Sequence, residues 1–233
     1  MYNFIKYMRN KGLLKTAPKD MNISELKASE ADKKKVVIVR KAKKKKQTKK
    51  VKQIDISKIF GIDCEMVGVG EGEELKDVLA RVSIVTRDDT LLDTFVRVEE
   101  PVIEYRTDVS GVRKEDLEGD QARDFHSVVE DVRDILARAE IIVGHGLGHD
   151  EEVLEMEFES RKVRDTSTYR PFFYNGRTPS LKKLAMKNLK TRIQDGQHNP
   201  VEDARTALLL YLQVNLIYFL LFTEEGCHLA GEG

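Results

Sequence analysis

I-F-G-I-D-C-E-M-V-G, from Ile59 to Gly68, is apolar enough to be an inner strand, yet Asp63 and Glu65 interrupt it. Successive side chains of a strand alternate faces, so Asp63 and Glu65 share one face. Ile62, Cys64 and Met66 share the other and face a core. Two adjacent carboxylates repel each other, and burying them unpaired is costly. A divalent cation is the simplest remedy, because its charge turns both acids into ligands. A solvent-facing strand edge is the other reading of D-x-E, and this stretch alone does not choose between them.

Outward from this strand, Ala80–Arg87 and Thr90–Val98 are β-rich runs separated by Asp88 and Asp89. That is a hairpin signal, and with the first strand it predicts a three-stranded antiparallel meander. The intervening G-V-G-E-G-E-E-L-K-D has the glycines of a phosphate loop without its Lys-Ser/Thr, and reads as a mobile turn. Pro101 to Asp120 is loop-like, with one short helix in S-G-V-R-K-E-D-L. From Asp124 to Ala139, apolar Phe125, Val128, Val129, Val132, Ile135 and Leu136 recur at helical spacing. Ile141–Gly144 is short, apolar and β-branched, as a buried parallel strand should be. Helices are expected over 149–158, 180–189 and 200–219, which makes the second half α/β.

The zero net charge conceals a division. Residues 1–60 hold 19 Lys/Arg against 5 Asp/Glu, and the remainder holds 21 against 35. A basic arm that binds polyanions and an acidic body that holds cations are the expectation. Residues 1–57 read as a poorly ordered arm, and 58–215 as the folded domain. The run Lys41–Lys52 (K-A-K-K-K-K-Q-T-K-K-V-K) repels itself; it is either a nuclear or nucleolar address or a solvated linker. Residues 216–233 form an apolar and then disordered tail, and N-L-I-Y-F-L-L-F is far short of the ~20 residues that span a membrane. Cys64 and Cys227 are the two cysteines, which gives neither a disulfide framework nor zinc-ligand spacing and fits a reducing compartment.

Two further acidic sites follow. In V-G-H-G-L-G-H-D-E-E-V-L, a strand ends at Gly144 and a glycine-punctuated turn delivers Asp150 to the next helix. Ligands in α/β sheets gather beyond the carboxyl ends of strands, so Asp150 can face a metal, or it can simply satisfy helix-start amides. In H-N-P-V-E-D-A-R, Asn199 as N-cap, Pro200 and Glu202 make a good helix start. That explanation leaves out Asp203, which points inward if Ala207 and Leu210 do. It also leaves out His198, placed to bend towards whatever Asp203 binds.

D-x-E on a first strand, Asp at a strand-to-helix junction, and H-x4-D at a late helix together resemble the DEDDh group of 3′→5′ exonucleases. The closer resemblance is to the RNA exonuclease 4 branch, related to the interferon-stimulated 20 kDa exonuclease. It is carried by D-C-E-M-V-G, L-A-R-V-S-I-V, Y-R-T-D-V-S-G-V, I-V-G-H, V-R-D-T, P-S-L-K-K-L-A and V-E-D-A-R, over roughly residues 58–215. The resemblance implies an α/β, ribonuclease H-like fold: a mixed sheet, antiparallel meander first, with helices on both faces. It implies Asp63, Glu65, Asp150 and Asp203 as metal-binding acids, His198 as general base, and Glu65 with Met66 against the 3′-terminal nucleotide. The chain departs from the family's common G-H-x-L-H-N-D by placing Gly148 and His149 before Asp150, with the spacing kept.

Phosphodiester hydrolysis needs a hydroxide and a stabilised leaving oxygen, which two Mg²⁺ or Mn²⁺ ions about 3.5–4 Å apart supply. A histidine, with an unperturbed pKa of about 6.5, takes the water's proton near neutral pH. The expected substrate is the single-stranded 3′ end of RNA, in ribosomal RNA processing in the nucleus, with no membrane partner. DNA hydrolysis on the same fold and a non-cleaving nucleic-acid-binding scaffold are the alternatives.

Overall fold

The computed structural model describes residues 35–37, 53–71 and 74–222. Lysines 41, 43–46, 49, 50 and 52 and the segment after Phe222 lie outside these residues. Near the amino end, β1 (Lys35–Val37) pairs antiparallel with β2 (Gln53–Asp55). The body that carries the chemistry is Lys58–Leu210.

Its centre is β3 (Ile59–Glu71), followed by β4 (Glu74–Val85) and β5 (Thr90–Phe95) in the expected antiparallel meander. Short β6 (Val102–Glu104) pairs antiparallel with the far end of β3. Then β7 (Ile141–Gly144) and β8 (Val163–Asp165) add in parallel, giving the order β5-β4-β3-β7-β8. The sheet is therefore mixed, as expected.

Helices cover both faces. Phe60, Ile62 and Cys64 of β3 join Val82 and Ile84 of β4 in one core with Val128, Val132 and Leu136 of α3 (Phe125–Ala137). Asp124 caps α3, accepting from the Ser127 amide at 3.0 Å. Leu147 and Val153 of α4 (Leu147–Val153) join the same core. On the opposite face, α6 (Pro200–Phe222) crosses β3 at Gly61. A Cβ at Gly61 would stand 2.5 Å from the Ala204 carbonyl oxygen, so glycine is what lets this helix lie against the strand. Arg205 ties the same helix turn to the β4–β5 connection, donating to the Arg87 carbonyl at 2.9 Å and to Thr90 Oγ1 at 3.1 Å.

Several expectations need correction. The glycine-rich connection is not simply a turn: β3 continues to Glu71 and β4 starts at Glu74, paired from Val67↔Val78 to Glu71↔Glu74. Val67 and Val69 of that arm are buried, and Val67 packs with Ala80, Val112 and Leu117, an apolar face the glycines masked. The segment read as loop holds β6 and two short helices, α1 (Thr107–Ser110) and α2 (Lys114–Glu118). The helix expected over 149–158 instead starts at Leu147 and stops at Val153. Its early start has a cause remote in sequence: the Asp165 carboxylate at the end of β8 accepts from the Gly146 and Leu147 amides at 3.0 and 3.1 Å. Its early stop coincides with Glu155, which takes a left-handed φ of 48°. The helix expected over 180–189 is one α-turn, α5 (Leu181–Leu184), running into a π turn at Ala185–Leu189.

Gly61→Ala is expected to destabilise the protein by about 1–3 kcal/mol, the usual range for overpacking. Urea unfolding followed by circular dichroism measures it, and an unchanged midpoint would show that α6 is not seated on this glycine.

Candidate active site

The site forms where β3 outruns β7. Strand β7 pairs with β3 only at Ile59–Gly61 and ends at Gly144. Between Gly61 and Gly68, where β6 begins to pair, this edge of β3 has no strand beside it, and the first turn of α4 brings Asp150 there. Burial raises the pKa of Asp150, and the neighbouring Cys64 amide and thiol pull it the other way. Gly144 permits this arrangement, since a Cβ there would collide with Leu147 and approach the Ile62 carbonyl oxygen at 3.1 Å.

Asp63 and Glu65 lie on the face of β3 that α6 crosses. A β-bulge falls between Glu65 and Met66, where the partner register steps from Arg81 to Leu79. Glu65, Asp150 and Asp203 are buried, and Asp63 is half-buried. One ligand atom each of Glu65, His198 and Asp203 lie within 4.8 Å of one another. Half-buried Met66 packs against the main core beside them.

Asn199 and Pro200 start α6 as expected, with Asn199 Oδ1 accepting from the Val201 amide at 3.1 Å. Asp203, one turn in, is buried along with Ala207 and Leu210. His198 is held from behind: its amide donates to the Val109 carbonyl at 2.6 Å, and left-handed Gly111 packs against its own carbonyl. The Y-R-T-D-V-S-G-V segment thus serves as a backing for His198. Its Nδ1 stands 3.7 Å from Asp203 Oδ2.

Electrostatics mark these four carboxyls as an unfinished arrangement. Burial, then Asp150, Asp203 and Glu65 in turn, push Asp63 well above the usual carboxylate range. Burial and Asp203 push Glu65 up to about 8, against the pull of Arg81. Burial raises Asp150 to about 7. Burial raises Asp203 too, although the Gln194 hydrogen bond and His198 oppose it. Asp203 Oδ1 is buried with no hydrogen-bond partner. An acceptor left bare among raised carboxyls fits a divalent cation, which takes oxygen ligands and restores their ionised form.

Three supporting residues escaped the sequence reading. Gln194, at a left-handed φ of 55°, donates to Asp203 Oδ2 at 2.8 Å. Lys182 holds that loop through the Gln194 carbonyl at 2.7 Å. Asp165 organises the turn ahead of Asp150, as described above. None of these carries a local signal, because each contact joins elements distant in sequence. His149 is exposed, and a Cβ at Gly148 would meet nothing within 4 Å, so the chain's departure at these positions has no steric origin.

Exonucleases of the RNase T type match this chain over residues 60–211, and the chain belongs to that family. Among curated relatives, RNA exonuclease 4 of Saccharomyces cerevisiae is 45% identical over 165 residues, spanning 69% of this chain and 55% of that protein. RNA exonuclease 4 of Homo sapiens is 40% identical over 164 residues, spanning 68% of this chain and 37% of that protein. The chain therefore spans about half or less of the length of these two relatives. Among solved structures, the Saccharomyces cerevisiae Pan2 pseudoubiquitin hydrolase-RNA exonuclease module in complex with A7 RNA is similar at a TM-score of 0.61 and 28% identity, covering 76% of this chain and 31% of that one. The Neurospora crassa Pan2 catalytic unit is similar at a TM-score of 0.59 and 25% identity, covering 74% of this chain and 29% of that one. The fold is ribonuclease H-like.

Unfolded, Glu65 and Asp150 ionise near their ordinary values of 4.5 and 3.8; in the metal-free fold they do so only near 8 and 7. The fold's advantage from these groups is complete below about pH 4 and is lost as pH rises through 7 to 8. Thermal unfolding in EDTA is expected to show Tm falling over that window. Glu65→Gln should flatten the fall, each kcal/mol relieved raising Tm by about 2–4 °C. An EDTA-treated Tm that rises from pH 6 to 8 would contradict this electrostatic picture.

Proposed function

We propose that this chain is a metal-dependent 3′→5′ exoribonuclease acting on the single-stranded 3′ end of RNA. The observation that carries the reading is the meeting of Glu65, His198 and Asp203, one ligand atom of each lying within 4.8 Å of the others, with one buried Asp203 oxygen left without a partner and Asp63 close enough to feel the charges of Asp150, Asp203 and Glu65. Family membership and RNA exonuclease 4 relatives support it, as does likeness to a Pan2 module complexed with RNA.

The four acids would hold two Mg²⁺ or Mn²⁺ ions, which when bound supply the charge that ionises a water and neutralises the leaving oxygen. The protein's own residues do the rest. Glu65, Asp150 and Asp203 are buried, so their charges act in a low dielectric where each interaction counts for more than in water. Gln194 fixes Asp203 through Oδ2, and Asp203 Oδ1 is left without a hydrogen-bond partner. His198, anchored by Val109, is the general base and takes the water's proton at the imidazole. Glu65 and Met66, at the bulge, would lie against the terminal nucleotide. The lysine run over 41–52, outside the described residues, supports a nuclear, nucleolar setting and a part in ribosomal RNA maturation.

The test uses RNA and DNA oligonucleotides labelled at the 5′ end, with Mg²⁺, Mn²⁺ or EDTA and an Asp203→Asn control. A metal-dependent ladder shortening from the 3′ end of RNA, absent in the control, is expected. Faster loss of DNA would favour the DNA enzyme, and binding without cleavage in any metal would leave only a scaffold. His198→Ala should keep metal and RNA binding while kcat falls about 10²–10⁴-fold, the usual contribution of a general base. Unchanged turnover would remove His198 from that role.

A further inference from the structure

Between Asp165 and Asp195 the chain carries seven Lys/Arg and no acid, inside a portion that otherwise has acids in excess. This segment builds the hairpin around Asn175-Gly176 and the α5 helix with its π turn. Tyr174 and Arg177 bridge at the hairpin base, where Asn175 and Gly176 both take positive φ. The Tyr174 ring is 60% exposed, the most exposed of the large hydrophobic side chains described. Lys187 Nζ sits 5.6 Å from its centroid. Met186 is also exposed beside it in sequence. Arg177, Lys183, Lys187 and Lys190 are exposed, and none has an ion pair to an acid among the described residues.

An exposed aromatic ring with a lysine against it, in a stretch with cations and no acids, is the composition that binds single-stranded nucleic acid: a base stacks on the ring and phosphates meet the cations. An acidic protein partner would use the cations but not the exposed ring. Two chains of hydrogen bonds tie this surface to the candidate site. Thr178 Oγ1 donates to the Ser167 carbonyl, and the Ser167 amide donates at 2.7 Å to Asp165, which orders the turn ahead of Asp150. On the other side, Lys182 of α5 holds the Gln194 loop, whose amide reaches Asp203.

We propose that Tyr174 with Lys187, and with Arg177 bridged to Tyr174 at the hairpin base, is a stacking and phosphate-binding subsite for the RNA strand upstream of the nucleotide being removed. The proposal rests on the exoribonuclease reading above. It makes the enzyme sensitive to substrate length: short fragments reach only the acidic centre, while longer strands also engage the tyrosine.

The test compares wild type, Tyr174→Ala, Tyr174→Phe and Lys187→Gln on an RNA of about 3 nucleotides and one of about 20. Stacking on one aromatic ring is worth roughly 1–3 kcal/mol per base, so Tyr174→Ala should raise KM for the long RNA about 5- to 150-fold. Its kcat, and both constants on the short RNA, should stay at wild-type values, and Tyr174→Phe should restore the long-RNA KM. Lys187→Gln should lower the magnitude of the log–log salt slope of long-RNA binding by about 0.7, one single-strand phosphate contact. Equal effects on both lengths, or none on the long RNA, would overturn the subsite. If wild type cleaves neither RNA, it is the nuclease reading that fails. The subsite is then judged by anisotropy of the long RNA in EDTA, where an unchanged Kd for Tyr174→Ala overturns it.

Discussion

The withdrawal of Asp63, Glu65, Asp150 and Asp203 from water, with Asp63 also repelled by the other three, is the constraint around which the body is arranged. Three of the four are buried, all four are pushed towards protonation, and the main cause in each case is removal from water. Alone, such an arrangement costs stability, because neutralising a carboxyl or burying its charge both oppose folding at neutral pH. The rest of the fold supplies the apolar burial that tolerates this cost. The core between the sheet and α3 draws on fully buried Ile62, Val82, Ile84, Val128 and Val132. An active site that stores electrostatic strain needs such a frame to hold it.

Two close approaches convert the frame into a site. At Gly61 the backbone of α6 meets β3, which sets Asp203 over the strand that bears Asp63 and Glu65. At Gly144 the chain leaves β7 and folds tightly onto Leu147, which delivers Asp150 to the uncovered edge of β3. Neither glycine touches the chemistry. Both decide where the carboxylates stand.

What could be read from the sequence, and what could not, follows the range of the interactions. The β3 strand was legible because alternation is a local, two-residue property, and the meander because Asp88-Asp89 punctuates two β-rich runs. The start of α6 was legible because Asn199 and Pro200 act on amides within a turn. The start of α4 was not, because its capping carboxylate, Asp165, lies on β8. The long β3–β4 hairpin was hidden by glycines and glutamates, which resemble a turn until the burial of Val67 and Val69 is known. The four acids and His198 could be picked out because their order and spacing resemble those of the DEDDh exonucleases, whereas Gln194 and Lys182 meet their partners only when separate elements come together. The tyrosine and lysines of the 166–194 segment sit between these extremes: their charge is visible in the sequence, but their exposure and pairing are not.

Proton release on metal uptake tests the central claim most directly. Metal-free protein would be titrated calorimetrically with Mn²⁺ at pH 7 in two buffers of different ionisation enthalpy. If Glu65 and Asp150 are held near 8 and 7, ligand formation must expel protons, and the apparent enthalpy should differ between buffers by a fraction of a proton or more per site. Identical enthalpies in both buffers would mean that the carboxyls are already ionised without metal, and that their convergence is not the strain described here.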